Sequence, residues 1–140
     1  MRRLKKAQKY LKFEYEKAPD IEKRALKLIE DLHLDHLLGD RLFFYRSTGS
    51  KARAYARNWG LPAIWQNALE IEPAYVIEVI SGYFDKLSVQ EQDKVILHEL
   101  MHIPKNFSGA LVPHTHRRKG SFKDKLEILV EKYLENDIRS

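Results

Sequence analysis

The sequence predicts an α+β domain in which one small twisted sheet of three or four strands carries flanking helices. Three observations predict it. Apolar residues recur at helical spacing around 21–32, 95–103 and 122–134. Short β-rich runs, of which Tyr75–Ile80 is the clearest, are gathered between the first of these stretches and the second. A length of 140 residues, 44% of them hydrophobic and 32% charged, suits a single domain with a real core.

Taken in order, residues 1–17 are set apart as a basic segment, and the domain is expected over 18–140. A basic helix over 3–16 would turn around Leu4, Leu11 and Tyr15, on poor periodicity. Ala18-Pro19-Asp20 breaks the chain, and Asp20 can N-cap a helix in which Ile21, Ala25, Leu28, Ile29 and Leu32 recur to about His33. Gly39-Asp40 ends that region. Leu42–Tyr45 reads as a strand, residues 47–50 as a turn, and a second strand is expected near Ala52–Arg57. Gly60-Leu61-Pro62 gives another turn, with a short strand expected at Ala63–Gln66. Pro73 then precedes the strand Tyr75–Ile80.

Ser88-Val89-Gln90-Glu91 reads as a capping box opening a helix whose apolar positions are Val95, Ile96, Leu97, Leu100, Met101 and Ile103. Pro104 stops it. An irregular loop, Pro104–Arg117, is punctuated by Gly109 and Pro113. Ser121 with Asp124 caps a last helix with the buried stripe Phe122, Leu126, Leu129, Val130, Tyr133 and Leu134.

The helix opened by Ser88 carries the pentad His98-Glu99-Leu100-Met101-His102. On a helix, i and i+4 lie one above the other, so two imidazoles can face one ion while Glu99 sits one residue round, able to reach a water beside it. A catalytic zinc takes three protein ligands and keeps a fourth position open. His114 or His116, on the following loop, can be the third. Chance would give such a pentad roughly 0.02 times in a chain of this composition.

The net charge is +5, and the six cations Arg2, Arg3, Lys5, Lys6, Lys9 and Lys12 fall in the first twelve residues with no acid among them. A second basic run is Arg117-Arg118-Lys119, and a third lies across Arg41, Arg46, Lys51, Arg53 and Arg57. Arg2, Arg3, Lys5, Lys6, Arg117 and Arg118 are the candidates for nucleic acid contact, though such runs are more often solvated surface. No cysteine means no disulfide and no thiolate ligand. With no apolar run long enough for a membrane span and no apolar region behind Arg2-Arg3, a cytoplasmic protein without membrane contact is expected.

His98-Glu99-Leu100-Met101-His102, followed by Gly109-Ala110-Leu111-Val112-Pro113-His114, resembles zincin metallopeptidases, especially small phage and archaeal ones. It is also similar to the SprT-like proteases, where the pentad helix is followed by a Gly…Pro-His turn bearing a third histidine. The likeness to the first group extends more loosely through Ala18-Pro19-Asp20 and Tyr75–Ile80. It implies a zincin-like fold with the pentad on an active-site helix, His98, His102 and His114 as Zn2+ ligands, Glu99 as general base, and a protein or peptide substrate. Two departures from the SprT-like pattern are Thr115-His116, where Gly commonly follows the third histidine, and the lack of a cysteine zinc ribbon.

The expected chemistry is zinc-assisted amide hydrolysis. The candidates for a transition-state donor or supporting residue are His116, then Arg117 and Tyr75. Two other classes compete with a peptidase: a zinc hydrolase acting on a non-peptide substrate such as RNA, and a zinc-stabilised nucleic-acid-associated binding module. His33 and His36 read as capping or surface residues rather than a second metal site, and Trp59, Trp65 and the phenylalanines as core.

Overall fold

The computed structural model describes residues 13–114 and 121–139. It is the expected α+β arrangement, an open four-stranded sheet with helices packed on one face. The elements are β1 Glu14–Lys17, α1 Pro19–Asp31, β2 Leu42–Thr48, β3 Ala56–Gly60, α2 Ala63–Leu69, β4 Tyr75–Ile80, α3 Ser81–Phe84, α4 Val89–Met101 and α5 Phe122–Arg139. The strand order is β1-β2-β4-β3. β2 and β4 run parallel, Leu42 opposite Tyr75 through Ser47 opposite Ile80, and both outer strands are antiparallel to their neighbours.

Alternation decides which face is buried. Leu42 and Phe44 of β2 and Tyr75, Ile77 and Val79 of β4 point into the core. There they meet Ile21, Ala25 and Leu28 of α1, Ile96, Leu97 and Leu100 of α4, and Tyr133 of α5. The helices stay together through ties as well as burial. Arg24 of α1 binds Asp93 of α4 at 2.7 Å, and Tyr133 donates to the other oxygen of that carboxylate at 2.7 Å. Arg46 of β2 reaches both Asp20 and Asp85, and its guanidinium holds the Asp20 carboxyl below the usual range.

Several elements begin where the sequence places them. β4 covers Tyr75–Ile80, Ser88 N-caps α4 by accepting from Glu91 N at 3.2 Å, and Asp124 N donates to Ser121 Oγ ahead of α5. Others differ. Residues 14–16, expected at the end of a basic helix, pair with 46–48 as an edge strand. Ala18 rather than Asp20 caps α1, because Pro19 fits the first helical position and leaves Asp20 in the first turn, where its charge meets the helix dipole. The second strand runs 56–60 and not 52–57, its register fixed by β4, where Trp59 Nε1 donates to Glu78 Oε1 at 2.9 Å.

Ala63–Gln66 is helical, not extended: the Pro62 carbonyl accepts from Trp65 N and Gln66 N and starts α2. Trp59 and Trp65 are half-exposed, so the expected core role fails for both, as it does for Phe13 and Phe43. Phe44, Phe84, Phe107 and Phe122 are buried. No helix among the described residues is long and apolar enough to cross a membrane.

Candidate metal centre

Helix periodicity stacks His98 and His102 on one face of α4, with their Nε2 atoms 3.2 Å apart. The chain then leaves α4 at His102, its C-cap residue, turns through Phe107 (φ +48°) and Gly109 (φ +94°), and returns to bring His114 over the pair. His114 Nε2 lies 2.8 Å from that of His98 and 3.1 Å from that of His102. Four fixings shape this return. Phe107 packs edge-on against Tyr75, with ring centroids 5.0 Å apart. Tyr75 Oη accepts from Gly109 N at 2.8 Å and donates to Ala110 O at 2.7 Å. Gln66 Nε2 donates to Ser108 O and to Leu61 O. Val112 N donates to the carbonyl of His102 at 2.6 Å.

That last residue also sets the chemistry of the ring it touches. His102 Nδ1 lies 2.5 Å from Val112 O, which can only accept, so Nδ1 carries the proton and Nε2 presents its lone pair to the cluster. Burial, and then the facing His102 and His114 rings, push the His98 imidazole down to about 4. Burial likewise lowers His102, partly opposed by Val112 O. The described rings His98 and His102 are therefore neutral near pH 7. Phe122, first residue of α5, stacks on His102 at 4.4 Å and 19° and sets its ring edgewise to those of His98 and His114.

Converging lone pairs on neutral rings suit a cation. Nitrogens held about 2.0–2.1 Å from a tetrahedral ion stand about 3.3 Å apart. The observed 2.8–3.2 Å separations come close to that. The donor set is three imidazoles, with no thiolate in the chain. Among the described residues this is the group of metal-type ligands that comes together. A metal ion fits it.

Glu99, on the neighbouring face of α4, lines a cleft of about 480 Å³ together with Arg57, Asn58, Trp59, His102 and Leu111–His114. Burial alone raises its carboxyl to about 7. Asn58 of β3 fixes the helix at this point, its Nδ2 donating to Glu99 O at 2.8 Å. The cleft opens between β3, an edge of the sheet, and the returning loop.

Of the residues singled out from sequence, His98, Glu99, His102 and His114 come together here. Tyr75 does not face the imidazoles. Its hydroxyl is spent on the loop backbone at Gly109 and Ala110. His116, Arg117 and Arg118, like Arg2, Arg3, Lys5 and Lys6, lie outside the described residues. His33 occupies the left-handed position that closes α1, with His33 N and Leu34 N donating to Glu30 O and Ile29 O. His36 meets the Ile103 carbonyl, and among the described residues neither histidine belongs to a group of metal-type ligands. Asn58, Val112 and Phe122 are the partners that the sequence reading does not pick out. Phe122 is visible there only as part of a helical stripe.

The family model described as "Putative phage metallopeptidase" matches residues 13–128. No curated protein and no solved structure matches.

Proposed function

Because the chain belongs to the phage metallopeptidase family, and is thus a metallopeptidase in general, we propose that it is a zinc enzyme that hydrolyses peptide bonds in protein or peptide substrates. The observation that carries this reading is the convergence of three imidazole Nε2 atoms at a cleft lined by one buried carboxyl. His98, His102 and His114 are its zinc ligands. The all-nitrogen donor set suits zinc. When bound, the ion supplies Lewis acidity to the attacking water and to the scissile carbonyl.

The remaining steps belong to the chain. Glu99 takes a proton from the attacking water and passes it to the leaving amine. A carboxyl that burial brings to about 7 can do both near neutral pH. Val112 O holds the His102 ring so that its lone pair keeps facing the centre. Asn58 holds the backbone at Glu99. The substrate is extended and adds antiparallel to β3, an edge strand of the sheet among the described residues, which lines the same cleft as Glu99.

Purified protein reloaded with zinc should bind one ion per chain and cut an unfolded protein. Glu99→Gln should keep the ion and lose about 10²–10⁴-fold in rate. Undiminished cleavage by Glu99→Gln would remove Glu99 from the reaction, and failure of the wild type to bind zinc would end the reading.

A further inference from the structure

We propose that α2 and the turn before it form an apolar exosite, holding bulky apolar side chains of a protein substrate on the N-terminal side of the bond to be cut. This rests on the peptidase reading above and names the specificity of that same cleft. In a chain that is 32% charged, residues 61–69 (Leu-Pro-Ala-Ile-Trp-Gln-Asn-Ala-Leu) carry no charge at all. None of the seven residues of α2 is buried. Ile64 is 76% exposed, Trp65 55%, Leu69 53%, and Ile71 just beyond 44%. A surface helix ordinarily turns such side chains to the core. A cluster of them facing solvent marks an interaction surface, and tryptophan is the side chain most enriched where binding energy concentrates.

What holds α2 in place is polar and leaves its apolar side chains free. The Pro62 carbonyl caps its start, Glu70 closes it in the left-handed conformation, and Gln66 spans Leu61 O and Ser108 O at 2.7 and 2.8 Å. The Gln66 tie joins α2 to the loop that brings Leu111 and His114 to the cleft. β3, whose Trp59 stands at the cleft rim half-exposed, runs through Gly60 and Leu61 straight into α2. The apolar surface therefore follows directly in the chain from the strand that lines the cleft and is tied to the loop on its other side, and that adjacency selects the substrate as its occupant.

Its direction follows from the strand. A substrate lying antiparallel to β3 enters at the Gly60 end and leaves at the Ala56 end. Residues upstream of the scissile bond then meet Leu61 and α2, and residues downstream pass away from them.

The test is to digest unfolded proteins with the zinc-loaded enzyme, sequence the cut sites, and repeat with Trp65→Ser/Leu69→Ser and, separately, with Ile64→Ser. The wild type should favour sites with Leu, Ile, Phe or Trp upstream. The double variant should cut those sites about tenfold more slowly, while its rate on a short peptide confined to the cleft stays unchanged. Cleavage without upstream preference, or a preference that survives the substitutions, overturns the exosite and leaves the peptidase standing. Absence of any cleavage by the wild type overturns both. Sedimentation showing a wild-type dimer that Trp65→Ser/Leu69→Ser dissociates, with site preference unchanged, assigns the surface to a second copy and overturns the proposal. Binding to lipid vesicles with site preference unchanged does the same.

Discussion

Tyr75, the first residue of the inner strand β4, holds the loop backbone with its hydroxyl, which accepts from Gly109 N–H and donates to the carbonyl of Ala110. Its ring is fully buried, and burial raises its pKa, so the hydroxyl stays protonated and keeps both roles. The loop that ends in His114 is thus pinned to the core five residues before its imidazole. Tyr75→Phe keeps the ring and breaks both bonds, leaving the Gly109 N–H without its partner. The expected cost is about 1–3 kcal/mol in urea unfolding, with zinc affinity down about tenfold in a competition titration. Lower stability with unaltered affinity would confine Tyr75 to the core.

Gly109 is fixed from the other side as well. Its φ of +94° suits glycine, and a Cβ there would overlap Leu61 O and Gln66 Nε2. Gly109→Ala should therefore destabilise by about 2 kcal/mol, rather than gain the few tenths that removing a glycine from a flexible turn can bring. Chemical denaturation in the presence and absence of zinc checks it. The loss should be larger with zinc, because the displaced loop is the one that carries His114.

The assignment of the third ligand is decided by stoichiometry. His114 Nε2 lies within 3.1 Å of both helical imidazoles. His114→Ala should lose the ion or bind it far more weakly, while His116→Ala should retain one per chain by elemental analysis. The reverse result would move the ligand to His116.

Glu99 and His98 give opposite slopes to stability against pH in protein stripped of metal. Glu99 ordinarily titrates at 4.5 and in the fold at about 7. Between those values the native state keeps a proton that the unfolded chain has released, so stability falls as pH rises. His98 ordinarily titrates at 6.5 and in the fold at about 4. Between those values the unfolded chain holds the extra proton, so stability rises with pH. Lowered His102 adds to that rise. Over pH 4.5–6.5 the Glu99 slope offsets one histidine. In Glu99→Gln the urea midpoint should climb across this window more steeply than in wild type, by about one proton. Identical slopes would mean that Glu99 is not protonated in the native state.

How much of this was legible beforehand depends on whether a feature is local. The pentad, its Ser88 cap and the Pro104 stop are spelled out within seventeen residues, so α4 and two of the three clustered imidazoles could be read directly. Strand Tyr75–Ile80 announces itself as a β-branched and aromatic run broken only by Glu78. The third imidazole of the cluster needed the Gly…Pro-His resemblance, since nothing in residues 104–114 states where the loop returns. Its fixings come from Tyr75 and Gln66, 34 and 42 positions away from their loop partners Gly109 and Ser108. The misread elements failed where tertiary pairing decides. Residues 14–17 become a strand only because 45–48 lie beside them. Ala63–Gln66 looks like a short strand until Pro62 is seen as the cap of the helix Ala63–Leu69.

Phe122 is the case where a core-type residue has a second effect. Its ring lies flat on His102 and edgewise to His98 and His114, so it helps keep water off rings whose pKa burial lowers. Neutral rings keep their lone pairs available for a metal in mild acid. Phe122→Ala should let water in, and His98 and His102 should then move back toward 6.5. Protons would compete with the ion at higher pH, so the pH at which half the zinc is released should rise by about half a unit to one unit. Because Phe→Ala in a core can itself cost about 3–5 kcal/mol, Phe122→Leu is the companion variant. It restores cover without the stacked ring, and its release midpoint should fall back near that of wild type. If instead the leucine variant behaves like alanine, stacking rather than exclusion of water sets the affinity. If neither variant shifts the midpoint, Phe122 contributes to folding alone.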